Sequence, residues 1–175
     1  MFFLNENNYD VFGIDIDRTQ IEMALEEKKA RYKNVRIDFL IGDARKLGFS
    51  SSTFDGCMVM GALDLVSKVD RYEVIQEIYR ILKPSGYLFV EEFRQTWENP
   101  VYSKRYREDL AISGEIGTFT VKDDSGKILF LSHHFTQKEL STLLADFNII
   151  SFEDDVFTSC YHENWVKGYY VIAQK

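Results

Sequence analysis

The chain has 175 residues, enough for one domain with a sizeable core, and 45% apolar with 28% charged residues is the balance of an ordinary soluble globular protein. A net charge of −7, with acids and bases interspersed, argues against tight nucleic-acid binding, which needs a basic surface. No run of eighteen apolar residues offers a membrane span, and Met1-Phe-Phe-Leu4 is too short for a signal-peptide core. Cys57 and Cys160 are too far apart for a zinc motif or a disulfide framework, so reduced thiols and a cytoplasmic location are expected. Fourteen Phe and ten Tyr suggest an aromatic-lined cavity or interface, although most such rings belong to cores.

Phe2-Phe-Leu-Asn-Glu-Asn-Asn8 reads as the last turn of a helix entering a polar turn. Tyr9-Asp-Val-Phe-Gly-Ile-Asp-Ile-Asp17 follows, a short apolar run ending in carboxylates, with a strand over roughly Asp10 to Asp15. Asp17 is placed to N-cap the next helix, with Gln20 three residues on as in a capping box. Ile21, Ala24, Leu25 and Tyr32 mark its buried stripe, and Asn34 closes it. Val35, Ile37, Phe39 and Ile41 alternate with other residues at strand period and lead to Gly42-Asp43-Ala44. After a polar loop, Phe54 to Met60 is a nearly continuous apolar run, as expected of a strand covered on both faces, and opens into Gly61-Ala-Leu-Asp64.

A helix over roughly Arg71 to Leu82 turns Val74, Ile75, Ile78, Ile81 and Leu82 inward, and Lys83-Pro84-Ser85-Gly86 stops it. Tyr87 to Val90 is the next strand, ending in Glu91-Glu92. This β-α-β-loop-β-α-β order predicts an α/β fold with a largely parallel sheet. The rest differs. An amphipathic helix follows Pro100, and Asp123-Asp-Ser-Gly126 joins two strands as a hairpin. Thr136 to Glu139 is a capping box opening a helix with Leu140, Leu143, Leu144 and Phe147. Strands over roughly Ile149 to Phe157 and Trp165 to Ala173 close the chain as an antiparallel hairpin across the polar loop Thr158 to Asn164.

Gly13-Ile-Asp15, Gly42-Asp-Ala44, Phe54-Asp55, Leu82-Lys-Pro-Ser-Gly-Tyr-Leu88 and the final antiparallel pair, in that order, together resemble the class I S-adenosylmethionine-dependent methyltransferases. The resemblance implies a Rossmann-like fold, mostly parallel with a C-terminal antiparallel hairpin, spanning residues 1–175 as a single domain in which 94–134 is a variable substrate-side insertion. It implies S-adenosylmethionine as cofactor and methyl transfer to a small-molecule acceptor. Asp15 would hold the ribose hydroxyls, Ile16 would pack on the adenine, Asp43 would accept its amino group and the Ala44 backbone would meet a ring nitrogen. Gly61 would line the methionine end, and no metal is implied. Trp97, Tyr102, Tyr106, Phe119 and Phe130 are candidates for an acceptor lid.

Structural readings stand beside these roles. Gly42-Asp43 could be an ordinary turn, Asp55 could merely shape the start of its strand, and Asp64 suits a helix cap or a surface acid. His133 and His134 are placed where a base could face an acceptor. One satisfied and one solvent-exposed histidine would explain them as well, and they lack spaced metal-ligand partners.

The family's first strand and Gly-x-Gly-x-Gly loop would precede Tyr9, and neither is present, so the chain is expected to be N-terminally truncated. The strand edges this leaves are expected to be repaired in one of three ways. The strand ending at Asp15 pairs directly with the one starting at Phe54, another chain supplies a strand, as a homodimer would, or the sequence is a fragment of a longer reading frame. The alternative function is a non-catalytic binding or partner module of the same fold. A nicotinamide-dependent oxidoreductase also places an acid after its second strand, but leaves Gly42-Asp43 and the closing hairpin without a role.

Overall fold

The computed structural model describes residues 1–32, 35–158 and 165–175. Asn34, and the loop residues 159–164 with Cys160, lie outside the described residues. The chain divides into two compact units, Met1–Phe49 and Ser50–Lys175.

The first unit is a β-α-β element. Helix α1 (Phe2–Glu6) precedes β1 (Val11–Asp15), which runs parallel to β2 (Ile37–Ile41), with α2 (Arg18–Arg31) between them. Asp17 caps α2 as expected, its carboxylate accepting from Thr19 N–H at 2.8 Å, one residue short of Gln20. The unit buries little. Ile21 is buried, but Leu25 of the expected inward stripe is 45% exposed, because a two-stranded sheet covers only a narrow strip of a helix. At Gly13 an added Cβ would come within 2.8 Å of the Phe39 ring, so this strand position needs glycine for the close packing of β1 on β2.

The second unit carries a four-stranded sheet in the order β3-β4-β8-β7. Strands β3 (Phe54–Met60) and β4 (Leu82–Phe93) are parallel, joined through a short 3-10 turn (Leu63–Leu65) and α3 (Lys68–Ile81). The helix-stopping segment Lys83 to Gly86 lies inside β4 as an irregularity with Ser85 at positive φ, so helix passes directly into strand at Leu82. One face of the sheet meets α3 and α6 (Gln137–Leu143). Val59, Val74, Ile75, Ile78, Leu88, Val90, Leu140, Leu144, Val171 and Ala173 form the core there. Each of the Val, Ile and Leu side chains among them contributes roughly 1.5–3 kcal/mol. The expectation that β3 is covered on both faces is corrected: Val59 points into this core, whereas Met58 and Met60 are about half exposed.

Between β4 and α6 run α4 (Pro100–Glu108), α5 (Leu110–Ser113) and the antiparallel hairpin of β5 (Thr118–Lys122) and β6 (Ile128–His133). Asp123 ties the hairpin turn, accepting from the N–H groups of Ser125 and Lys127. Thr136 and Glu139 form the expected capping box of α6. The final strands β7 (Asn148–Thr158) and β8 (Trp165–Gln174) are antiparallel, and β8 also pairs antiparallel with β4. Strand β1 pairs with β2 and β3 with β4, in separate sheets, so the direct β1–β3 pairing entertained from the sequence is not adopted.

Candidate active site

In the first unit the parallel register brings two of the expected residues together. Asp15 lies opposite Ile41, and Gly42 N–H donates to the Asp15 carbonyl at 2.9 Å, so the turns carrying Asp15 and Asp43 lie side by side at the C-terminal ends of β1 and β2. That is where open α/β sheets bind ligands. The Asp15 side chain is exposed and accepts from Asp17 N–H at 2.8 Å through Oδ1. Ile16 is 69% exposed, an uncovered apolar surface beside it. Asp43 is clamped by Arg45, whose Nε and Nη2 reach its two oxygens at 2.6–3.0 Å. Hydrogen bonds from Arg45 hold the Asp43 carboxyl down at about 2, so it is ionised at any physiological pH. Ala44 is exposed next to it.

In the second unit Gly61 ends β3 with φ +56°, its N–H donating to the Glu91 carbonyl at 2.9 Å. A Cβ there would meet no atom within 4 Å, so the backbone faces open space. The residues just beyond hold what sequence reasoning missed. Asp64, expected as a cap or a surface acid, is buried, with Oδ2 accepting from Ser132 Oγ at 2.9 Å. Glu92 is fully buried, and its Oε1 accepts from Ala62 N–H at 3.1 Å and Leu63 N–H at 2.8 Å. Among the described residues, Asp64 Oδ1 and Glu92 Oε2 are buried with no hydrogen-bond partner. Burial pushes the Asp64 carboxyl up to about 7, against the opposing pull of Ser132 and Arg71. Burial first, and then the neighbouring Asp64 charge, push Glu92 well above the ordinary glutamate range. The available signal was periodicity: Leu88, Val90 and Glu92 share the inward face of β4.

A second buried polar cluster adjoins this pair. Arg71 makes a bidentate bridge to Glu115 at 2.8 and 3.0 Å and donates through Nε to the carbonyls of Leu63 and Val66. His133 lies 3.0 Å from Glu139 and 3.5 Å from Glu115, with Nδ1 bonded to Thr118 Oγ1 at 2.7 Å. The fold thus supplies the carboxylate neighbours that His133 lacks in sequence, and Glu115, His133 and Glu139 converge within 4.8 Å. The Arg71 guanidinium, within 3.7 Å of both acids, already provides the positive charge there.

Both histidines are buried, which corrects the expectation of an exposed member. His134 accepts or donates at 2.7 Å with the Tyr106 hydroxyl and is ringed by Phe93, Tyr102 and Phe119. Burial, with the nearby His133 and Arg105, lowers its pKa to about 3, so it stays neutral. Three of the expected lid residues, Tyr102, Tyr106 and Phe119, form this small second core, while Trp97 is partly exposed. A cavity of about 370 Å³ borders it, lined by Thr96, Asn99, Pro100, Tyr102, Trp165 and Lys167.

Residues 1–90 match the family described as "Methyltransferase domain". A solved S-adenosylmethionine-dependent methyltransferase from Methanosarcina mazei is 35% identical and superposes with a TM-score of 0.94 over 99% of this chain and 85% of that one. The chain belongs to the class I S-adenosylmethionine-dependent methyltransferases. Its fold is the Rossmann-like fold of that family, with a mixed sheet. The ubiquinone/menaquinone biosynthesis C-methyltransferase of Legionella pneumophila is 27% identical over 93% of this chain and 62% of its own length. The enzyme of the same name from Cereibacter sphaeroides is 39% identical over 41% of this chain and 27% of its own length. The chain therefore spans less than two thirds of these curated relatives.

The residues present fit the family's cofactor. In the first unit Asp15 is an exposed acceptor for hydroxyl donors and Asp43 an ionised acceptor for an amino group; in the second, Gly61 has open space where a Cβ would stand. Among the described residues, no helix is long and apolar enough to cross a membrane.

Proposed function

We propose that this methyltransferase-family chain binds S-adenosylmethionine and transfers its methyl group to a small-molecule acceptor. The observation that carries the reading is the pairing of Asp15 with the Asp43 turn through the Gly42 to Asp15 hydrogen bond. It sets the two turns that carry these carboxylates side by side at strand C-termini, which suits a ligand carrying both ribose hydroxyls and an exocyclic amine. Asp15 takes the ribose hydroxyls, Ile16 packs against the adenine face, Asp43 and the Ala44 backbone read the adenine edge, and Gly61 lines the methionine end. The cofactor supplies an activated methyl group; the chain's share is to hold it and the acceptor in line.

Residues 1–175 work as one methyltransferase-like domain, and 94–134 form its substrate-side insertion, in which the aromatic packing around His134 supports a rigid acceptor wall. The names of the curated relatives place them in quinone biosynthesis, which supports a small acceptor. The net charge of −7 supports a partner other than nucleic acid. A cytoplasmic location and a homodimer complete the reading, the latter checked by light scattering.

Calorimetric titration with S-adenosylmethionine and S-adenosylhomocysteine tests the cofactor assignment. Both are expected to bind, with Asp15→Asn weakening both by about tenfold, because an amide cannot accept from two hydroxyls as a carboxylate does. No heat with either ligand at high concentration refutes it.

A further inference from the structure

We propose that Asp64 and Glu92 form a proton-linked recognition site for the positive charge of the cofactor, giving up a proton to solvent as a sulfonium arrives beside Gly61 and Ala62. The inference rests on the assignment of Gly61 to the methionine end of the cofactor.

Three observations carry it. The first is place. Glu92 accepts from the N–H groups of Ala62 and Leu63, the two residues that follow Gly61, and Asp64 comes next in the same turn. The second is that both acids are more than nine-tenths buried, yet among the described residues each keeps one oxygen without a hydrogen-bond partner, Asp64 Oδ1 and Glu92 Oε2. A buried acceptor left unmatched is costly, and two of them in neighbouring carboxyls are relieved by a proton or a cation.

The third is charge balance. Arg71 from α3 faces three carboxyls: Glu115 from the segment before β5, Glu139 from α6 and Asp64 from the 3-10 turn. Among the described residues, His133 on β6 also contacts Glu115 and Glu139. Arg71 spends its hydrogen bonds on Glu115 and on the carbonyls of Leu63 and Val66, not on the pair. The pair is therefore an acid site without a dedicated cation. Without ligand it keeps a proton near neutrality, since burial holds Asp64 up at about 7 and pushes Glu92 well above the ordinary glutamate range.

A sulfonium favours the ionised pair, whereas a neutral thioether does not. S-adenosylmethionine and S-adenosylhomocysteine differ in that charge while sharing the ammonium, carboxylate, ribose and adenine groups. The test is calorimetric titration of the wild-type chain with each ligand in two buffers of different ionisation enthalpy, which counts the protons exchanged on binding. S-adenosylmethionine is expected to release about half a proton at pH 7, rising toward about one at pH 6, where Asp64 of the free chain is almost fully protonated. S-adenosylhomocysteine is expected to release almost none, and Asp64→Asn to remove the difference. The wild-type comparison stands even if that variant folds poorly. Equal proton exchange with both ligands overturns the inference and leaves the cofactor assignment intact. Failure of both ligands to bind overturns the assignment, and the inference with it.

Discussion

Replacing Asp64 by asparagine should make the protein's stability less sensitive to pH, and the size of the effect follows from its burial. Below about pH 4 the carboxyl is protonated in both the folded and the unfolded chain and costs nothing. Between about 4 and 7 the unfolded chain ionises it while the folded chain keeps it protonated, so stability falls as pH rises and the loss is complete above about 7. A carboxyl moved from 3.8 to about 7 corresponds to about 4 kcal/mol. Asparagine is nearly isosteric and does not titrate. Urea unfolding of both proteins from pH 4 to 8, followed by tryptophan fluorescence, should show the stability difference growing by about 4 kcal/mol in favour of the variant. That is roughly 2 M in urea midpoint at a slope of about 2 kcal/mol/M. The neutral His134 makes an opposite contribution, lost as pH falls from 6.5 toward about 3, and it cancels between the two proteins. A difference that stays flat across this range would show that Asp64 titrates as an ordinary surface acid and that its burial has no energetic consequence.

Arg71→Gln should cost about 3–5 kcal/mol, because it strands Glu115 without its buried partner. Combining it with Glu115→Gln should restore most of that loss in urea unfolding, and equal losses in the single and double variants would instead assign the stability to the Leu63 and Val66 carbonyl bonds. Tyr106→Phe leaves His134 Nδ1 without its 2.7 Å partner and should lower stability by about 1–3 kcal/mol; an unchanged thermal midpoint would contradict this. Thr136→Ala removes one half of the α6 capping box and should cost about 1 kcal/mol by the same measurement.

Much of this protein was legible because it is local. Asp17 and Thr136 cap their helices as their sequence neighbourhoods require, since a cap reaches only two or three residues along the chain. The hairpin at Asp123 to Gly126 and the strand starting at Val11 are likewise decided by turn chemistry and side-chain period. The order of these elements was enough to suggest the family and to place Asp15, Asp43 and Gly61 at strand ends. What stayed hidden depends on residues distant in the chain.

Asp64 reads as a surface acid until Ser132, 68 positions away, closes over it, and Glu92 reads as a strand-ending charge until Ala62 and Leu63 turn back to bind it. His133 gains Glu115 and Glu139, and His134 gains Tyr106, only when the β5–β6 hairpin and α6 fold onto the same sheet end. Conversely, the apolar run of β3 suggested two covered faces, and packing buried one. Short-range hydrogen bonding and periodicity specify which elements form. Burial and the pairing of charges are set by which surfaces meet, and so the acid pair beside Gly61 emerged only in three dimensions.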